Sequence, residues 1–158
     1  MYLKLKAIIE LTFLRDDTAK VWITASNGRF SGETEQYINA DVLQTLSEQL
    51  VGFPKSNSDE VIFEIGEKDS IYGHCKFKFK FYCFDSAGHT AVIVSVSNDI
   101  AGNESADNIC YAKFKIQFEA SSLDEFSSSI KRALNSGEGK SVLLGINTYT
   151  QNIPSHYS

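Results

Sequence analysis

The chain has 158 residues, 42% of them hydrophobic and 22% charged, with 15 Lys and Arg against 20 Asp and Glu and a formal net charge of −5. A chain of this size can bury a core without metals or disulfides, and its two prolines leave little room for long linkers, so one domain over 1–158 is expected. The acidic balance opposes general nucleic-acid binding, which needs a surplus of Lys and Arg to displace counterions, and it favours a basic partner.

Leu3, Leu5, Ala7, Ile9, Leu11 and Phe13 alternate with more polar residues, the period of a half-buried strand. Glu10 and Arg15-Asp16-Asp17 break the apolar stretch, so the segment reads as a strand and not as an export signal. Val21, Ile23 and Ala25 predict a second strand ending at Asn27-Gly28, a hairpin dipeptide that tolerates positive φ, with a third strand starting near Arg29. Leu43, Leu46 and Leu50 have helical spacing, with Asn39 or Asp41 as cap and Gly52 and Pro54 as stop. Val61, Phe63 and Ile65 predict the next strand.

From His74 to Phe84 the alternation is sharpest, with Cys75, Phe77, Phe79, Phe81 and Cys83 on one face and Lys76, Lys78, Lys80 and Tyr82 on the other. A turn over Asp85 to His89 leads to a strand through Val92, Val94 and Val96, and Asn98 to Asn108 reads as a loop. Cys110, Ala112, Phe114, Ile116 and Phe118 form another strand with Lys113, Lys115 and Gln117 outward. Ser122 and Glu125 then have capping-box spacing before Leu123, Phe126, Ile130 and Leu134, with Lys131 and Arg132 in the last turn and Gly137 as stop. Val142 to Ile146 predicts a last edge strand, and 147–158 a tail of uncertain order. No repeat of about 20 to 50 residues is visible. The pattern predicts an α+β fold, an antiparallel sheet of about six to eight strands with two amphipathic helices packed on one face.

No catalytic motif emerges. Gly137-Glu138-Gly139-Lys140-Ser141 ends like a phosphate loop, but it lies between a helix and a strand, so no helix N-terminus meets a phosphate. His74, His89 and His156 lack metal-ligand spacing. Three cysteines without CxxC spacing read as buried free thiols. No cofactor or metal is therefore expected. Asp85 and His89 could form an acid and base pair in a small-molecule site, or simply hold their turn. Lys76, Lys78, Lys80 and Tyr82, beside Lys113 and Lys115, offer a solvated face, a protein-binding one or, in outline, the basic-aromatic face of a nucleic-acid binder that the acidic balance opposes, and Glu33 and Glu35 belong to an acidic first half suited to steering a basic partner.

Gly28-Arg29-Phe30-Ser31-Gly32, then Tyr37, the leucines of the first helix, Phe53-Pro54, the strands that follow and the helix from Leu123 resemble, in order and spacing, the WapI-type bacterial immunity proteins. The resemblance spans roughly residues 20 to 135. It implies a non-catalytic cytoplasmic protein that binds a cognate toxin domain, with no catalytic residues to assign. Two alternatives stay open: a small-molecule-binding domain or enzyme using Asp85 and His89, and a self-associating structural module, monomer or homodimer.

Overall fold

The computed structural model describes residues 6–67, 75–99 and 109–147. Eight strands and two helices follow in the order β1 (Ala7–Arg15), β2 (Ala19–Asn27), β3 (Ser31–Tyr37), α1 (Ala40–Leu50), β4 (Glu60–Glu67), β5 (Cys75–Cys83), β6 (Thr90–Asp99), β7 (Ile109–Phe118), α2 (Ala120–Ser136) and β8 (Glu138–Leu144). The fold is α+β and all the strand pairings are antiparallel.

The strands form two four-stranded sheets instead of a single one: sheet A has the order β3-β2-β1-β8 and sheet B the order β4-β5-β6-β7. Width explains the division. Eight strands side by side would span about 38 Å, whereas two helices of about 10 Å diameter would cover roughly half of that. Two smaller sheets bury their apolar faces against each other and against both helices, giving one core that runs from Ile9, Leu11 and Ile23 through Leu46 and Phe126 to Phe79 and Val94.

Local chemistry sets the boundaries. Asn39 caps α1, its side-chain oxygen accepting from the Asp41 N–H, and Gly52 at φ 72° follows the helix. Gly28, at φ 97°, makes the β2–β3 turn, which Asn27 secures by accepting from the Arg29 and Phe30 N–H groups at 3.0 and 2.9 Å.

Helix α2 departs from the expected caps. It starts at Ala120, with Glu119 alone between it and β7, so Ser122 lies inside the first turn and the N-cap position falls to Glu119, whose side chain makes no capping hydrogen bond. Glu125 instead accepts from Arg132 at 2.8 Å. The helix also runs on to Ser136, which leaves Lys131 and Arg132 short of its last turn. A cation still meets that end, but it comes from β1: the Arg15 guanidinium donates to the Leu134 carbonyl at 3.0 Å, and the Arg15 N–H donates to the Gly137 carbonyl at 2.7 Å.

Placing β8 ahead of β1 reveals a duplication at the level of topology. The series β8-β1-β2-β3-α1 has the same order as β4-β5-β6-β7-α2. Leu11 pairs with Ser141 and Ile23 as Phe79 pairs with Phe63 and Val94. In the helices, buried Leu43, Leu46, Ser47 and Leu50 recur at a constant offset as Leu123, Phe126, Ser127 and Ile130. Each buried serine donates to the carbonyl three residues back, Ser47 to Gln44 and Ser127 to Asp124. Helix α1 connects the β3 edge of sheet A to the β4 edge of sheet B, and α2 connects the β7 edge back to β8.

The sheets come close together at Gly32. A Cβ there would lie 2.3 Å from Val96 Cγ1 and 4.0 Å from the Phe114 ring. Because the branched valine has little rotameric freedom, Gly32→Ala is expected to destabilise the protein by about 1 to 3 kcal/mol, read as a lower urea midpoint at unchanged slope. An unchanged midpoint would contradict direct contact between the sheets at this point.

Candidate functional site

Strand alternation turns one side of each sheet into the core and leaves the other outward. On sheet B the outward residues form a grid fixed by register. Glu60, Ile62 and Glu64 of β4 lie beside Tyr82, Lys80 and Lys78 of β5. Those face Ala91, Ile93 and Ser95 of β6, which in turn face Gln117, Lys115 and Lys113 of β7. Lys76 and Tyr111 lie on either side of Ser97 in the next rung, and Asp99 opposite Ile109 continues the register on this face.

The lysines differ in their partners. Lys76 pairs with Glu64 and Lys80 with Glu60 at 3.4 Å, while the Lys115 ammonium sits 4.7 Å from the centre of the Phe84 ring. The hydrogen bond from Lys76, with the added field of Lys76 and Lys78, holds the Glu64 carboxyl below its usual range. Among the described residues Lys78 and Lys113 make no ion pair.

Glu33 and Glu35 stand on β3, opposite Thr24 and Trp22 on the outward face of sheet A. The six candidate partner-binding residues therefore divide between the outer faces of two sheets. Glu35 is engaged by Lys20, and that hydrogen bond raises the lysine pKa; Glu10 is paired with Lys140 at 3.0 Å. Glu33 and Glu138 make no ion pair among the described residues.

Sequence alternation did not single out the apolar part of this face. Trp22, the only tryptophan of the chain, is 52% exposed on β2, an inner strand, with Leu14, Tyr37 and Leu144 also exposed on the same side. The available signal was a tryptophan on the outward side of a strand whose inward positions are Val21 and Ile23. A singly exposed apolar residue is ordinary on a protein surface, but several on one sheet face are not.

The remaining candidates have structural roles. In the turn between β5 and β6 the Asp85 carboxylate meets His89 Nδ1 at 2.6 Å and accepts from the His89 N–H at 3.0 Å. Both side chains are solvent-accessible, and the His89 ring stacks on Phe84. Clefts of about 230, 280 and 420 Å³ have neither residue in their walls. Gly137, at φ 88°, ends α2, Gly139 lets β8 pass against Ala133, and Ser141 is buried, so the phosphate-loop look-alike is a helix-to-strand turn.

Cys110 is exposed and Cys83 half-buried, contrary to the expectation of buried thiols; burial and then Asp59 and Asp85 raise the Cys83 pKa. His74, His156 and the side chain of Cys75 lie outside the described residues, as do most of the Asn98 to Asn108 loop and residues 148–158. Among the described residues no three His, Cys, Asp or Glu side chains gather as metal ligands, and no helix is long and apolar enough to cross a membrane.

Compared with models of known protein families, with curated proteins and with solved structures, the chain matches none.

The Asp85 and His89 contact makes a pH prediction. The hydrogen bonds from the His89 ring and N–H hold the Asp85 carboxyl below its ordinary 3.8, so what the contact adds to the turn is complete above that value and lost as pH falls through the lower folded value. In a carbon-13 carboxyl titration, His89→Ala should move the Asp85 midpoint up toward the ordinary value. No movement would mean that His89 does not hold this carboxylate.

Proposed function

We propose that the protein is a non-catalytic cytoplasmic immunity protein that binds a cognate bacterial toxin domain and neutralises it, as its resemblance to WapI-type proteins implies. The observation that carries this reading is the outer face of sheet A, where exposed Trp22 has exposed Leu14 and Tyr37 at diagonal positions on the neighbouring strands, Leu144 is exposed farther along the same face, and Glu33 and Glu138 make no ion pair among the described residues. Exposed tryptophan and tyrosine dominate the energetics of many protein interfaces. Carboxylates around them suit a basic active-site cleft, of the kind that binds nucleic acid, and speed encounter by charge steering.

A strand-borne face held by a packed core is already ordered before binding, so docking costs little conformational entropy. The small-molecule alternative draws no support from the solvent-accessible Asp85 and His89 turn. A self-associating module would bury the same aromatic face, and sedimentation at high concentration separates it from a monomeric antidote.

The test is recovery of partners on the tagged protein from its native cells at low and moderate salt. One stoichiometric partner is expected, held less well at moderate salt. Trp22→Ala should weaken that complex by at least about 2 kcal/mol, roughly thirtyfold, and Glu33→Lys should slow association with little change in dissociation. A partner held equally by Trp22→Ala would overturn the assignment of this face.

A further inference from the structure

We infer that the outer face of sheet B is a second docking surface, a groove along β6 that takes an extended acidic peptide segment of a partner protein. The inference rests on sheet B alone and not on the aromatic face of sheet A. From Ala91 to Ser97 the floor of the groove is made of small or uncharged residues, with Ser95 near its centre, and lysine rows from β5 and β7 stand on either side. Since β5 and β7 are two strand spacings apart, the rows are separated by about 9.5 Å at the backbone, room for one extended chain.

Charge and period both favour an acidic peptide. Five lysines, Lys76, Lys78, Lys80, Lys113 and Lys115, share this face with Glu60 and Glu64 of β4 and with Asp99, which the register puts at the far end of β6, among the described residues of a chain whose net charge is −5. The two glutamates lie on β4, outside the groove, and engage Lys76 and Lys80. That leaves Lys78 and Lys113, which flank Ser95 in one rung, with no carboxylate of their own chain within salt-bridge distance among the described residues.

Along each row the lysines repeat every second residue, about 6.8 Å. An extended peptide with acidic residues at alternate positions presents carboxylates at the same interval. Single-stranded nucleic acid would share the charge, but its binding relies on successive bases stacking on aromatic side chains, and the tyrosines of this face, Tyr82 beside Ala91 and Tyr111 beside Ser97, stand in rungs about 20 Å apart along the strands, with Ile93 and Ser95 between them.

The full chain should be titrated into a fluorescent peptide of about ten residues alternating Glu and Ser, at roughly 20 mM and 150 mM salt, with anisotropy as readout. Binding is expected at low salt and should weaken at the higher salt. The double variant Lys78→Glu with Lys113→Glu should lose at least about tenfold in affinity, Lys78→Met with Lys113→Met should lose less, and Trp22→Ala should match the unmodified protein. Circular dichroism confirms that each variant is folded. Absence of peptide binding at low salt, equal binding by the folded charge-reversed variant, or tighter binding of an oligothymidylate of equal charge would each overturn the inference. Because Trp22→Ala reports on the other face, failure here is distinguishable from failure of the immunity reading.

Discussion

The pairing of β1 with β8 holds the first half of the chain to the last. Leu11 lies opposite Ser141 and Ile9 opposite Leu143, which makes β1 an inner strand of sheet A with partners on both sides. The same strand reaches α2 through Arg15, whose guanidinium and N–H serve carbonyls at the helix end. Beyond β8 the chain stays tied, with the Gly145 N–H donating to the Ala7 carbonyl and the Ile146 N–H to the Gln117 carbonyl of β7. Sheet A, α2 and the edge of sheet B are thus fastened together by one long-range closure, whose loop entropy is recovered only when both sheets are in place.

That closure gives the described residues two outward sheet faces that differ chemically. The faces turned inward share the core with both helices. Outward, sheet A carries aromatic and aliphatic side chains with two carboxylates, Glu33 and Glu138, that make no ion pair among the described residues, and sheet B carries the lysine rows. An overall acidic chain with one basic sheet face has a polarised field that favours particular approach directions for charged partners.

Much of the fold was legible because period-two alternation over β1, β2, β5 and β7 and the leucine spacing of α1 are local signals. The cap at Asn39 and the glycine turns at 28 and 137 were legible for the same reason. The division into two sheets was not, since it depends on which strands pair across long separations, above all β8 with β1. Ser122 and Glu125 had capping-box spacing, yet the single residue between β7 and α2 made the helix begin earlier. The cation at the end of α2 came from Arg15 on a distant strand, a contact that inspection of the helix alone could not reveal. The duplication was hidden because the two halves share inward size and polarity patterns without short identical motifs, and because β8 comes last in the chain. Of the candidate residues, the outward direction of Lys76, Lys78, Lys80 and Tyr82 followed from alternation. Their separation from Glu33 and Glu35 required the sheet order, and Trp22 gained meaning only when Leu14, Tyr37 and Leu144 proved to share its face.

Both faces are rigid surfaces on one cooperative core closed by β1 and β8, and native-state hydrogen exchange tests this most directly. The amides of Leu11, Ile23 and Leu143 in sheet A should exchange with the same free energy as those of Phe79 and Val94 in sheet B, that of global unfolding. A markedly lower free energy for sheet A, with sheet B still protected, would contradict the account by showing that the closure is not what holds the molecule together.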